Sequence, residues 1–223
     1  QTGRPVWLTG LNAPQEKAVT TVSGPLLVLS GAGTGKTRVL TSRLAQLVAS
    51  RTAMPWNILA VTFTNKAARE MKQRISDLVG PMSEQVMLGT FHSLAARMLR
   101  KHAELVGLKS DFTILDTDDQ IRLIKQLMDA EGLDIKRWPP RMLMAQFGSW
   151  KDRGLGPDKI GIADAGDIAD GRAASLYKLY QQRLKTLNAA DFGDLLLHML
   201  KVFTTHQDVL EIYQNRLTHI MVD

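Results

Sequence analysis

The chain has 223 residues, 44% of them hydrophobic, enough to bury a sizeable core in one large domain or two small ones. Its 28 Lys and Arg against 22 Asp and Glu leave a formal charge of +6, a balance that favours a polyanionic partner such as nucleic acid without establishing one. The absence of cysteine excludes disulfides and thiolate metal sites, and the five histidines are not closely paired. No apolar run is long enough to span a membrane and no signal peptide opens the chain, so a cytoplasmic protein is the default expectation.

Taken in order, Pro25 to Leu29 is a short continuous apolar run that predicts a buried strand. A glycine-rich stretch follows and leads into Val39, Leu40, Leu44, Leu47 and Val48 at helical spacing. The strand-loop-helix pattern repeats: Ile58 to Phe63 predicts a second strand, and Ala68, Met71, Ile75 and Leu78 mark a helix ended by Gly80-Pro81. A third strand over Val86 to Leu88 precedes a helix carrying Leu94, Met98, Leu99 and Leu105. Such alternation implies a parallel sheet covered by helices on both faces.

From residue 113 the alternation stops and about 75 residues read as helical. Thr117-Asp118-Asp119-Gln120 has the form of a capping box with Thr117 as the cap, followed by Ile121, Ile124, Leu127 and Met128 as a buried stripe. A further helix starts at Trp138-Pro139-Pro140 and carries Met142, Met144 and Phe147, methionines best read as core. Residues 154 to 171 hold five glycines among aspartates and few large apolar side chains, which predicts a mobile surface loop. Leu176, Leu179, Tyr180, Leu184 and Leu187 predict another helix, and after Asp191 the pattern returns to helix, helix and strand, ending in Ile220-Met221-Val222. A start at Gln1 and a close on Asp223, directly after that strand, lead us to expect a piece of a longer protein.

Ser30-Gly31-Ala32-Gly33-Thr34-Gly35-Lys36-Thr37 lies where a phosphate-binding loop belongs, between strand and helix. Glycines at 33 and 35 let backbone N–H groups turn toward a β-phosphate, and the helix N-terminus adds partial positive charge. Lys36 is placed to bridge β- and γ-phosphates, and the Thr37 hydroxyl to ligate Mg²⁺. Ser30 stands where the strict motif has glycine, at an outer, less crowded position. With glycine at about 7% of residues, two further glycines at fixed positions cut chance matches about 200-fold. The loop implies nucleotide binding but does not choose among kinases, transporters and motors.

Five more stretches resemble the UvrD/Rep/PcrA family of superfamily 1 DNA helicases, in order and spacing. Leu11-Asn12-Ala13-Pro14-Gln15-Glu16-Lys17-Ala18-Val19 resembles that family's adenine-recognising Q motif, which makes Gln15 the residue that reads adenine. Arg38 resembles the arginine that stacks on the adenine face. Val61-Thr62-Phe63-Thr64-Asn65-Lys66-Ala67-Ala68 looks like motif Ia and Gly89-Thr90-Phe91-His92-Ser93 like motif Ib, both at strand C-terminal ends, where open α/β sheets put ligands. The resemblance implies that Phe63, Thr64, Asn65, Lys66, Thr90, Phe91 and His92 hold single-stranded DNA, through base stacking and phosphate contacts. Asp191-Phe192-Gly193-Asp194-Leu195-Leu196 resembles the D-F-x-D-L stretch, with Gly193 where an acid is common. His219-Ile220-Met221-Val222-Asp223 looks like the Walker B strand with its first acid, implying that Asp223 holds Mg²⁺ through a water.

The resemblance covers residues 11 to 223 and implies an α/β fold: a RecA-like P-loop parallel sheet, domain 1A, with an inserted all-helical subdomain, 1B. The corresponding boundaries are 1–112 and 189–223 for domain 1A and 113–188 for the insert. It implies ATP and Mg²⁺ as cofactors and Lys36, Thr37 and Asp223 as catalytic residues. The nucleotide site is formed by Gln15, residues 30 to 37 and Arg38. Single-stranded DNA and single-strand/duplex junctions are the implied partners, acted on in the bacterial cytoplasm at the nucleoid. In the family the activating glutamate follows the Walker B acid and arginine fingers come from a second RecA-like domain, so these 223 residues alone are expected not to hydrolyse ATP. A helicase-nuclease subunit of the RecB or AddA kind shares these motifs and stays open. A P-loop small-molecule kinase or transporter ATPase is disfavoured by the Q motif and the two aromatic strand-end loops.

Overall fold

The computed structural model of the chain describes residues 3–223; Gln1 and Thr2, the start of the expected first segment, lie outside the described residues. In chain order the helices and strands are α1 (Ala13–Thr20), α2 (Lys36–Ala49), β1 (Ile58–Thr62), α3 (Asn65–Val79), β2 (Met87–Thr90), α4 (Phe91–His102) and β3 (Thr113–Ile114). They continue as α5 (Thr117–Ala130), α6 (Pro140–Asp152), α7 (Ile162–Ala165), α8 (Ala173–Thr186), β4 (Ala189–Ala190), α9 (Phe192–Thr205), α10 (Gln207–Arg216) and β5 (His219–Val222). Two compact units result, one of Gln1–Leu94 with Glu211–Asp223, the other of Ala95–Leu210.

The first unit is built on a parallel sheet in the order β2-β1-β5. β1 is apolar throughout except for its last residue, as a central parallel strand must be. Leu59 pairs with Met87 on one side and Ile220 on the other, so each strand ends at the same edge. Ile58, Ala60 and Met221 join Leu44, Leu47 and Val48 of α2 and Met71 and Ile75 of α3 in one buried core. On the opposite side of β5, Ile220 and Val222 remain 62% and 58% exposed, so the two-sided helical cover expected from the alternation is absent there. The Thr64 hydroxyl starts α3 by accepting from Ala67 N at 3.1 Å, and Gly80, at φ +68°, ends it.

The expected strand at Pro25–Leu29 is not part of the sheet. The run lies along a cavity of about 600 Å³ that β5 borders on its other side. Ladder bonds need strands about 4.8 Å apart, and a continuous apolar run becomes a parallel strand only when covered on both faces. Leu27 and Leu29 are instead 80% and 85% exposed.

The second unit packs α5, α6, α8 and α9 around Ile124, Met128, Leu143, Phe147, Trp150, Leu176, Tyr177 and Tyr180. Phe147 and Tyr177 stack with ring centroids 5.1 Å apart. Four points differ from the sequence expectation. The cap of α5 is Asp116, which accepts from Asp119 N at 2.8 Å, and Thr117 is the first helical residue. A carboxylate at the cap meets the same backbone donors as a hydroxyl and adds favourable charge. Residues 113–114 and 189–190 form a short parallel ladder on either side of the helical stretch, too brief to leave a periodic pattern. Within 154–171 a short helix forms, and Ala165 and Ala169 are buried while Ile160 and Ile168 pack on the core, so this segment is not simply a surface loop. Leu187, expected within the helix marked by Leu176 to Leu184, instead caps α8 and is exposed.

Asp191 and Asp194 form a reciprocal capping box at the start of α9, with backbone bonds of 2.9 and 3.0 Å. Lys151 of α6 enters between them, its Nζ 2.6 Å from Asp191 Oδ2 and 2.9 Å from Asp194 Oδ1, with all three side chains buried. Tyr180 Oη donates to Asp191 Oδ2 at 2.9 Å and Gln181 Nε2 to Asp194 Oδ1 at 2.7 Å. Burial and the neighbouring Asp194 charge push the Asp191 carboxyl up. Burial also acts on Asp194, but Lys151 and His198 together hold it below the usual carboxylate range. Gly193 makes the arrangement possible, since a Cβ there would lie 2.8 Å from Lys151 Cδ.

Candidate functional site

The loop from Ser30 to Gly35 leads into α2 through two left-handed glycines, Gly33 at φ +74° and Gly35 at φ +86°. An L side chain at either position would be strained by about 1–2 kcal/mol, which is why the motif puts glycine there. Thr34 Oγ1 donates to Gly31 O at 2.7 Å, closing the loop into a turn. Lys36 Nζ reaches back to Gly31 O at 2.9 Å and Ser30 O at 3.3 Å, so its ammonium lies across the loop's mouth. Carbonyl oxygens hold it in place, and phosphate oxygens would offer stronger, charge-assisted partners in the same region.

Thr37, in the first turn of α2, donates from Oγ1 to Asp223 Oδ2 at 3.2 Å, across 186 residues of sequence. Asp223 follows β5 directly, and its N–H donates to Val61 O at 2.9 Å, so the parallel ladder with β1 carries the carboxylate to this point. Adjacent oxygens around an octahedral Mg²⁺ with bonds near 2.1 Å are about 3 Å apart. One hydroxyl and one carboxylate at this spacing fit a magnesium ion that takes its remaining ligands from phosphate and water. Among the described residues there is no cluster of three or more His, Cys, Asp or Glu side chains able to hold a metal unaided.

Gln15 is the third residue of α1 and is engaged on both ends of its amide. Its Oε1 accepts from Asn12 N at 3.0 Å and its Nε2 donates to Thr34 O, also at 3.0 Å, tying α1 to the phosphate loop. Arg38 Nη2 donates to Thr9 O at 2.7 Å, passing so close to Gly10 that a Cβ there would lie 2.9 Å away. Gln15, Arg38 and residues 30 to 37 thus lie on neighbouring segments of one unit. Arg43, not singled out by the sequence, donates to the carbonyls of Ala18 and Thr21 and so joins α2 to the end of α1.

The other expected residues line the sheet edge at the ends of β1 and β2. Thr62 pairs with Thr90, so the next residues, Phe63 and Phe91, leave adjacent strands side by side. Phe63 is 85% exposed and Phe91 is exposed as well. Asn65 and Lys66 are exposed in the first turn of α3, and His92 is half-buried in the first turn of α4. Thr64 spends its acceptor on the helix cap described above. Thr90 is buried, with Oγ1 accepting from Ser93 N at 3.2 Å, so its side chain shapes the loop from beneath. Lys151 was invisible to sequence analysis, because nothing local distinguishes a buried lysine in a helix; the D-x-x-D pair with glycine between was the available signal.

Residues 11–223 match the family model described as the UvrD/REP helicase N-terminal domain. The chain is 43% identical over 216 residues to the ATP-dependent DNA helicase PcrA of Bacillus subtilis (strain 168), covering 97% of this chain and 29% of that protein. It is 43% identical over 215 residues to a probable DNA helicase II homolog of Rickettsia conorii, covering 96% of this chain and 33% of the relative. Against PcrA of Staphylococcus aureus (strain Mu50) it is 42% identical over 216 residues, 97% of this chain and 30% of the relative. The chain therefore spans about a third of the length of these relatives. A phosphate loop closed by Lys36, a Thr37–Asp223 pair beside it, and a family match over almost the whole length lead to one conclusion: this chain belongs to the UvrD/REP helicase family, as its N-terminal domain.

Proposed function

We propose that the chain is the ATP-binding front part of a DNA helicase that couples ATP hydrolysis to 3′–5′ movement on single-stranded DNA and to unwinding at junctions, in DNA repair or replication. In this reading residues 1–112 and 189–223 contribute a RecA-like domain 1A, and 113–188 the helical insert 1B. The site of action is the bacterial cytoplasm, on nucleoid DNA. The observation that carries the proposal is the meeting of Thr37 with Asp223 at 3.2 Å beside a loop spanned by Lys36.

Lys36 exchanges its carbonyl partners for β- and γ-phosphate oxygens, and backbone N–H groups of the loop and the α2 N-terminus hold the β-phosphate. Magnesium, when bound, neutralises charge developing on the phosphates, and Thr37 and Asp223 are the side chains that would hold it. Gln15 and Arg38 contact the adenine. Phe63 and Phe91 offer two stacking surfaces for bases, and Asn65 and Lys66 contact backbone phosphates. Both sites use the end of β1: Val61 O holds the Asp223 backbone and Phe63 lies two residues on. The family's activating glutamate and arginine fingers are not among these residues, which alone should bind Mg-ATP without sustained turnover.

Fluorescent-nucleotide titration tests the reading: Lys36→Ala should weaken Mg-nucleotide binding at least tenfold, on the scale of a charged hydrogen bond worth about 1.5–3 kcal/mol. Equal affinity of mutant and wild type would remove the loop from the account.

A further inference from the structure

Two aromatic residues leave the sheet edge, and the backbone holds them differently. Phe63 comes before the cap of α3: Thr64 accepts from Ala67 N, and an alanine side chain at 67 returns no bond. Phe91 comes after Thr90, the residue that precedes α4, and Thr90 and Ser93 engage each other three times. Ser93 N donates to Thr90 Oγ1 at 3.2 Å, Thr90 N donates to Ser93 Oγ at 2.9 Å, and Ser93 Oγ donates to Thr90 O at 3.1 Å. The arrangement is a capping box closed by a short side chain, where glutamate or glutamine usually reaches back. Gly89 makes room for it, since a Cβ there would lie 2.6 Å from Ser93 Oγ. The three bonds span only Phe91 and His92, so the backbone that carries Phe91 is tied on both sides while the residue stays 42% exposed.

We propose that Ser93 is a positioning residue for single-stranded DNA: its hydroxyl pre-sets the turn that presents the Phe91 ring to a base. This rests on the reading of Phe91 as a stacking surface. A ring carried on loose backbone must be ordered when a base arrives, and that cost comes out of the affinity; a ring already held in place avoids it. The Ser93 side chain carries two of the three bonds, and both go when it is removed. What then remains is the single bond from Ser93 N to Thr90 Oγ1, while the N–H of the buried Thr90 loses its hydroxyl partner. Ser93 touches no base in this scheme; it acts through Phe91.

The test is fluorescence anisotropy with labelled oligo(dT) at low salt on the 223-residue chain, with fluorescent-nucleotide titration of the same proteins beside it. Phe91→Ala should weaken DNA binding at least about fivefold, the lower bound for one stacked base. Ser93→Ala should weaken it about fivefold, the factor that ordering one side chain on binding is worth. Gly89→Ala, which drives a Cβ into the same hydroxyl, should act in the same direction. Ser93→Thr keeps the hydroxyl and should bind as wild type does. In a Phe91→Ala background Ser93→Ala should cost nothing further, and Mg-nucleotide affinity should hold throughout. If Ser93→Ala does not fold, Ser93→Cys takes its place with a smaller loss, because a thiol is a weaker donor and acceptor. A loss that persists in the Phe91→Ala background would make Ser93 a DNA contact in its own right or a general support of the edge, and would overturn the proposal. Unchanged binding by Ser93→Ala with weakened binding by Phe91→Ala would overturn the positioning role while sparing the stacking surface. Unchanged binding by Phe91→Ala would remove the stacking reading and the proposal together.

Discussion

Replacing Lys151 with methionine keeps most of the side-chain volume and removes the charge. Nζ lies within 3 Å of two carboxylates, 2.6 Å from Asp191 and 2.9 Å from Asp194, and none of the three side chains is more than 6% exposed. Removing one partner of a buried ion pair costs about 3–5 kcal/mol, chiefly because the remaining charge is left uncompensated. Here two carboxylates are left, with only Tyr180 Oη, Gln181 Nε2 and the capping-box backbone to hold them. The loss at neutral pH should therefore fall at the upper end of that range. Its pH dependence is the sharper test. In wild type the lowered Asp194 adds stability that is present above the unfolded carboxylate pKa and is lost as pH falls through its depressed folded value. The raised Asp191 acts in the opposite sense, binding its proton more readily folded than unfolded. Without Lys151 both carboxyls move up, and so does His198, which burial holds low and Lys151 lowers further. Tyr177 and Tyr180, raised by burial, stay neutral throughout. The folded mutant then takes up more protons than its unfolded chain, so its deficit should shrink between pH 7 and pH 5. Urea denaturation followed by circular dichroism at both pH values measures this. A deficit equal at the two pH values, or below about 1 kcal/mol, would show that packing rather than charge holds the cluster.

Gly193→Ala should cost about 1–3 kcal/mol in the same assay, because its Cβ would lie 2.8 Å from Lys151 Cδ; in a Lys151→Ala background, which removes that atom, the added cost should fall. A cost unchanged in the double mutant would separate the two residues. Phe63→Ala should weaken single-stranded DNA binding by about 1–3 kcal/mol without changing nucleotide affinity, checked by fluorescence anisotropy with labelled oligonucleotide at low salt.

The turn of the glycine-rich loop was legible because its backbone requirement is local: Gly33 and Gly35 both take the left-handed conformation that their residue type allows. The cap of α5 shows the grain of such reading, since Asp116 and Thr117 are both good caps and only backbone geometry separates them. Pro25–Leu29 has the composition of a buried strand, but composition does not specify a neighbour within ladder distance. The two-residue strands at 113–114 and 189–190 are shorter than any period that could announce them. Contacts that depend on three dimensions were least accessible. Lys151 carries no local mark of burial, and the engagement of Gln15 with Thr34 appears only once α1 and the loop are placed together. The resemblance supplied a role for Asp223 that its own neighbourhood in sequence could not.

The central claim is that Thr37 and Asp223, brought to 3.2 Å by the pairing of β5 with β1, form a magnesium-nucleotide site. Titration of a fluorescent ATP analogue with Mg²⁺ and with EDTA, on wild type and Asp223→Asn, measures it directly. Wild type should bind at least tenfold more tightly with Mg²⁺ than with EDTA, and Asp223→Asn should lose most of that gain while keeping its metal-free affinity. A full magnesium gain in Asp223→Asn would contradict the account.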